Sequence, residues 1–464
     1  MVLSPGVFIK RVKMQERVLI FIAIALFIAT GLLAKNRKTT SIESFSTLRN
    51  RLSWFVTAAG VSMTFLGGAA LLNIASLGYR YKWYTLIDPF AFIIGIIISV
   101  VLVKNYRNDT GITISQLVSG SNRRLSLYVG FITSVVFLMV ISAQFVAFSK
   151  LLAPYFPGVS TALLVTVPSG FVLLYVFLGG FAAVTNTDIL QLFFMFLFLL
   201  IPVGYYAVIQ EPAVPEPVLD NSIFAPMPGE LIIYLFISAV FIPLSQDVNI
   251  RAKSAKNARH ARRGLIFGAI FYALVVVACG YIGVTLAEHG IKIADNEQAF
   301  PTFFKQFYPT FGIFPILAGM AAIWSTLDTY LVNCITAVAQ DILKNNNYFK
   351  KQEDRKLVIV AGIIVFSIAT CISLYFNQVL SLILIALLVY ISVLLPVAIG
   401  KKIKMNDDLI FFISLVTVIA IILCEIMNVE LTPKAVMYPA ASFLLMLGGS
   451  LYRKLAINTR SQPR

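Results

Sequence analysis

Two carboxylates stand in stretches otherwise apolar enough to cross a bilayer. Asp328 follows Ser325 and Thr326 and precedes Thr329 in a run from Leu317 to Val332, and Asp188 lies between Thr187 and Gln191 in a second run that begins at Leu178. A charge within hydrocarbon costs roughly 2.5 to 3.5 kcal/mol on insertion scales and ordinarily faces a cavity or an ion path. On a helix, Ala322, Ser325, Thr326 and Thr329 share a stripe, with Asp328 three residues beyond Ser325, while Asp188 and Gln191 stand at i and i+3. Two hydroxyls, a carboxylate and carbonyls freed by a nearby helix break are the oxygen ligands that a dehydrated monovalent cation needs. The plainer reading is that the hydroxyls bond their own helix carbonyls and the aspartates satisfy nearby backbone. It serves for the hydroxyls alone and explains two intramembrane carboxylates poorly.

The elements that must position these groups are membrane helices. The 464 residues are 59% hydrophobic and 12% charged, about half the charge of a soluble protein, which predicts an all-α polytopic membrane protein in a lipid bilayer. The net charge of +16 reads as cytoplasmic loop chemistry rather than nucleic-acid binding. Cys279, Cys334, Cys371 and Cys424 fall in apolar segments without pair spacing and read as small buried hydrophobes. His260 and His289 sit in polar loops, which argues against histidine chemistry at membrane depth. The first apolar stretch follows Lys10, Arg11, Lys13 and Arg17 without a small-residue cleavage pattern, so it reads as a spanning helix.

Apolar stretches able to cross about 30 Å of hydrocarbon fall near 18–34, 54–77, 87–104, 125–152, 159–179, 181–209, 231–249, 264–287, 313–343, 356–376, 378–400, 408–426 and 434–453, an expectation of thirteen helices. The splits at Gly179–Gly180 and Asn377–Gln378 are tight. Lys and Arg concentrate in alternate loops; 250–263 alone carries Arg251, Lys253, Lys256, Arg259, Arg262 and Arg263, whereas 210–230 carries only acidic charges. The positive-inside rule then places the N-terminus outside and the C-terminus in the cytoplasm of a plasma (inner) membrane. Two segments look interrupted: the second by Gly60, Gly67, Gly68 and Asn73, the seventh by Pro243 and the polar Ser245, Gln246 and Asp247. Broken helices in corresponding places of two halves point to a transporter's binding site. The expected organisation is a leader with an accessory helix (1–53), five-helix repeats over 54–209 and 229–400 in inverted relation, and two accessory helices with a tail (401–464). No Walker-type sequence couples ATP hydrolysis, so a pump of this kind would draw on an ion gradient.

Three local patterns resemble the sodium:solute symporter family, which includes proline, sugar and sialic acid symporters. Gly179-Gly180 through Ala183-Val184, Thr187-Asp188 and Gln191 looks like its GG..AV..TD..Q segment, Ser325 to Thr329 with Asp341-Ile342 like its ST.DS…DI helix, and Arg251 to Ser254 with Ala258-Arg259 and Arg262-Arg263 like its R..AKS...AR loop. The resemblance implies Na+ as coupling ion, held in a first site by carbonyls at Met63 and Leu66 with Ala322, Ser325 and Thr326. It also implies a second site in some members at Asp188, Ser325, Asp328 and Thr329. Here Asp328 stands where several relatives carry serine, which opens a preference for a proton or a tighter hold on sodium.

The substrate pocket is expected between the broken helices, near Thr64, Phe65, Asn73, Gln144 and Gln246. Apart from Lys104, Lys356, Lys434 and Arg453 at the very ends of their spans, no arginine lies inside an expected span and Lys150 is the one lysine, so a zwitterion or neutral polar solute suits the membrane interior better than a monoanion. The function expected is sodium-coupled symport of an amino acid, sugar or organic acid by alternating access, not enzymatic catalysis. Alternatives are a proton-coupled symporter and a solute sensor that signals through a partner.

Overall fold

The computed structural model describes residues 5–34, 40–120, 122–209, 229–308, 313–376 and 379–426. These form α1 (Pro5–Leu32), α2 (Ile42–Ser46), α3 (Trp54–Phe65), α4 (Gly68–Tyr81), α5 (Ile87–Asn108), α6 (Ile114–Ser119), α7 (Arg123–Leu152), α8 (Thr161–Met195), α9 (Ile201–Ile209), α10 (Gly229–Leu244), α11 (Gln246–Ser254), α12 (Ala258–Glu288), α13 (Ala299–Phe307), α14 (Ile313–Ala337), α15 (Asp354–Tyr375), α16 (Val379–Lys402) and α17 (Asp407–Ile426). Single π turns extend α8 over Phe196–Leu200 and α14 over Val338–Leu343. Seven helical stretches of the described residues are long and apolar enough to cross a membrane. The segment expected at 434–453 and the split at Asn377–Gln378 lie outside the described residues.

Polar side chains start several helices as the sequence dictates. Asn122 accepts from Leu125 N–H at 2.9 Å to cap α7, and Asn257 accepts from His260 N–H at 3.0 Å to cap α12. Both interruptions are present. α3 ends as Leu66 N–H turns back to the carbonyls of Ser62 and Met63, each at 3.2 Å, and Gly67 is extended before α4 begins. A Cβ on Gly67 would lie 2.6 Å from Thr326 Oγ1, so glycine is required here by the close approach of α14. At the second break Ser245 is extended between α10 and α11. Carbonyls released there are not left bare: Pro243 O accepts from Tyr106 OH at 2.7 Å and Leu244 O from Tyr390 OH at 2.9 Å.

Gly180 makes a third interruption, inside α8, at φ 54° and ψ −143°. That conformation is essentially restricted to glycine, and a Cβ would also lie 2.5 Å from Phe45 O. The consequence is visible on either side of it. Tyr175 and Thr187 are twelve residues apart, about 18 Å along a straight helix, yet their hydroxyls reach the same oxygen, Asp328 Oδ2, at 2.7 and 2.9 Å. The chain therefore doubles back at Gly180.

α14 is enclosed on all sides, with Trp324 at its centre against Phe27 and Phe148. α12 packs along both halves of the first broken segment, α3 and α4. Glycine makes that approach feasible, since a Cβ on Gly283 would lie 2.0 Å from Ala75 O and one on Gly268 2.9 Å from Val61 Cβ. The outer surface is apolar, with Val101, Leu163, Phe193 and Val208 more than half exposed, as a lipid-facing surface requires. Cys279 and Cys334 are buried as expected, whereas Cys371 is exposed on α15. Lys150 pairs with Glu297.

One expectation is overturned. Residues 250–254 do not belong to a solvated loop. They complete α11, and Arg251, Lys253 and Ser254 are buried there. Lys253 Nζ reaches Asp109 Oδ2 at 2.6 Å and Gly111 O at 2.5 Å, while Ser254 Oγ bonds Thr47 Oγ1 at 3.0 Å. Leu52 and Ala255 form a parallel bridge beside them. The motif read as a basic loop is thus a lock joining the end of α11 to the chain before α3 and after α5.

Candidate functional site: an ionic cluster beneath a cavity

Arg251 is fully buried, although the sequence places it in a solvated loop. A buried guanidinium is tolerable when its donors meet acceptors and its charge is paired; here Nε and Nη2 make hydrogen bonds and Nη1 is held by an ion pair. Nε donates to Asp247 Oδ1 and Oδ2 at 3.0 and 2.8 Å, Nη2 donates to Thr64 Oγ1 at 2.8 Å and Thr329 Oγ1 at 3.3 Å, and Nη1 lies 3.0 Å from Asp188 Oδ2. The Asp188 contact is an ion pair without hydrogen-bond alignment. Phe181 offers its ring face 5.3 Å from the guanidinium carbon. Gly60 makes the space: a Cβ there would fall 1.6 Å from Nη1.

Around this cation the expected ion-site residues divide. Ser325 donates to Asp188 Oδ1 at 2.7 Å, so its hydroxyl serves the Asp188 side. Thr326 turns instead to the break in α3, donating to Thr64 O at 2.9 Å. Met63 O accepts the Leu66 N–H, and Ala322 is buried one turn before Thr326 on α14. Asp328 is buried and accepts from Tyr175 and Thr187 through Oδ2; among the described residues its Oδ1 has no hydrogen-bond partner. Thr329 meets Thr64 Oγ1 at 3.2 Å. Asp188, Ser325, Asp328 and Thr329 thus gather in one region, but Asp188 already has a tethered cation.

Thr64, Phe65, Gln144 and Thr326 line a cavity, together with Asp88 and Tyr272. Gln144 accepts the Gly68 N–H at 2.9 Å and so also supports the break. Asn73 and Gln246 lie outside this lining. Gln246 is held below it, accepting from Ile114 N–H at 3.2 Å and donating to Asn333 O at 3.1 Å. Nearby, Asp341 accepts from Thr113 Oγ1 at 3.0 Å and from Ser115, so α6 closes that end of the bundle. Asp247, Arg251, Asp88, Tyr175 and Tyr272 are the site residues that sequence inspection missed. The spacing of Asp247 and Arg251 at i and i+4 was the available signal for the first two.

Comparison with solved structures identifies the fold. A Na+-coupled sialic acid symporter in a substrate-bound outward-open state matches with a TM-score of 0.75 over 95% of this chain and 98% of that one, at 14% identity. MHP1, a nucleobase-cation-symport-1 family transporter, matches at 0.56 over 88% and 95%, also at 14% identity. The fold is that of a membrane transporter. The family model for the sodium:solute symporter family matches residues 45–213 and 218–401, and the chain belongs to that family. An osmoregulated proline transporter of Bacillus subtilis is 26% identical over 355 residues, covering 72% of each chain. A sodium/pantothenate symporter of Haemophilus influenzae is 24% identical over 230 residues, covering 47% of this chain and 44% of that one. Sodium/proline symporter 2 of Staphylococcus saprophyticus is 23% identical over 349 residues, covering 70% and 68%. The protein is accordingly an integral membrane transporter and not an enzyme.

Proposed function

We propose that this chain couples sodium entry to the uptake of one small polar organic solute by alternating access. The observation that carries the reading is the double use of one break. Thr64 and Thr326 line the cavity, and the Thr326 hydroxyl meets the Thr64 carbonyl at 2.9 Å. Sodium held by these oxygens, with Ser325, Ala322 and the carbonyls at Met63 and Leu66, would fix the wall against which the solute rests. Each ligand then favours the same conformation, which is the physical content of coupling. Replacing Ser325 and Thr326 together with alanine should raise the sodium concentration for half-maximal uptake at least tenfold, about 1.4 kcal/mol. An unchanged sodium dependence in liposomes would remove the ion from this face, and solute binding without flux would favour a sensor.

A second sodium at Asp188, Asp328 and Thr329 would have to share Asp188 with Arg251. We read the guanidinium as the resident cation there, so that one sodium moves with each solute. The repeat organisation is supported by packing. Moving five segments along the chain converts the pair α3/α4 with α12 into α10/α11 with α5, and both pairs pack closely. The five-helix units 54–209 and 229–400 each begin with a broken helix, as inverted repeats do.

For topology, the two ends of α12 provide the test. Ser254 is fully buried, so a cysteine there would be a poor label site. Arg259 and Glu288 are exposed at opposite ends of α12. In intact cells Glu288→Cys should label from outside, and Arg259→Cys only after permeabilisation. Outside labelling of Arg259→Cys would reverse the proposed orientation, which has the N-terminus outside.

A further inference from the structure

Asp88 belongs to neither ion cluster, yet it is a buried carboxylate in the cavity wall. It stands in the first turn of α5, 2% exposed, and accepts from Tyr272 OH at 2.8 Å. Tyr272 stacks on Phe92 with ring centroids 3.9 Å apart and planes 19° from parallel. Phe92 meets Phe65 edge-on at 5.2 Å, and Phe65 meets Phe241 at 6.2 Å. All four rings line the cavity, as does Tyr330, and no Lys, Arg or His does so among the described residues.

The backbone adds the same sign. The last turns of α3 and α10 enter the lining through Thr64, Phe65, Phe241 and Ile242, and helix C-termini carry partial negative charge. Two helix starts also reach the cavity: that of α4 is covered by the side-chain oxygen of Gln144 on Gly68 N–H, and that of α5 carries Asp88 itself in its first turn. A carboxylate, two helix C-termini and a wall of aromatic rings together make a site for positive charge on an apolar body.

We infer that the transported solute carries an alkylated ammonium, and that this group docks between Asp88 and the aromatic wall of Phe65, Phe92 and Phe241. This rests on the symport reading and narrows its substrate class. The shared chemistry is the ammonium; its bearer is either a zwitterion or an organic cation. A purely structural Asp88 would need to accept hydrogen bonds such as that from Tyr272 and to sit at a helix start, and would not need its charge for a solute. Asparagine at 88 keeps the acceptor and removes the charge, which separates the two roles.

The experiment uses the purified full-length protein in sodium, with thermal stabilisation read for choline, glycine betaine, L-proline, pantothenate and 3,3-dimethylbutan-1-ol, the uncharged isostere of choline. At least one ammonium compound should stabilise the protein, and the isostere should not. Choline alone would identify an organic cation, and betaine or proline a zwitterion. Asp88→Asn should weaken the active ammonium compound at least tenfold while keeping the stabilisation given by sodium alone, which reports that the variant is folded. If Asp88→Asn does not fold, Phe92→Leu decides, with a loss of at least threefold expected. Unchanged affinity in the folded variant, no stabilisation by any ammonium compound, or stabilisation by the isostere would overturn the inference. Sodium-dependent stabilisation by pantothenate alone would overturn it while leaving symport standing. Ammonium binding that is indifferent to sodium against potassium, without liposomal uptake, would retain the site and reject symport.

Discussion

Replacing Arg251 with methionine is expected to abolish sodium-driven uptake and to lower the melting temperature in detergent more than any other single change at the site. The guanidinium serves Asp188, Asp247, Thr64 and Thr329 at once. Removing one partner of a buried ion pair typically costs about 3–5 kcal/mol because the remaining charge is stranded, and here two carboxylates would be stranded. Lysine should not rescue function, since a single ammonium cannot reproduce three planar donor directions. The triple variant Arg251→Met, Asp188→Asn, Asp247→Asn should recover most of the melting temperature and none of the transport. Wild-type uptake by Arg251→Met would show that the cluster is incidental.

The second large effect is an asymmetry between the two carboxylates that first drew notice. Asp188→Asn should reduce uptake at least tenfold more than Asp328→Asn. In the first case the charge opposite Arg251 disappears and leaves Asp247 as its one anionic partner. In the second, an asparagine oxygen can still accept from Tyr175 and Thr187, the two donors on Asp328 Oδ2. The sodium-to-solute flux ratio, measured with isotopes, should be one in the wild type and in Asp328→Asn. A wild-type ratio of two would mean that Arg251 yields its place to sodium during the cycle. A larger loss from Asp328→Asn would move the ion, or a proton, to that carboxylate.

What the sequence revealed followed from strong local rules. Gly67-Gly68 and Pro243 through Asp247 interrupt apolar runs, and the backbone breaks beside each of them. The hydroxyl stripe on α14 was legible because helical spacing alone puts Ser325, Thr326 and Thr329 near one face. Arg251 was not legible, because it opens a run of six basic residues that reads as solvated loop chemistry. Only tertiary packing shows that the first of the six turns inward beside Gly60. Asp88 was hidden by its place at the edge of a span, where an acid at a helix start is ordinary. The aromatic wall was hidden because most membrane aromatics pack or lie at the interface, and the partners of Tyr272 and Tyr175 lie 184 and 153 residues away in sequence.

The shortness of α3 bears on how the chain is made. Its twelve residues reach about 18 Å, well short of the roughly 30 Å of hydrocarbon. It cannot settle across the bilayer as a unit when it leaves the ribosome. α4 must enter with it, leaving exposed backbone at Leu66–Gly67 for lipid to meet. The surfaces that cover this span, Thr326 on α14 at the gap and the glycine face of α12 along the two halves, are synthesised long after residue 81. Biogenesis therefore includes an interval in which a half-finished span waits for later helices. Substitutions at Gly268 or Gly283 should lengthen that interval, so that their cost appears as degradation of nascent chains rather than as a change in the finished transporter.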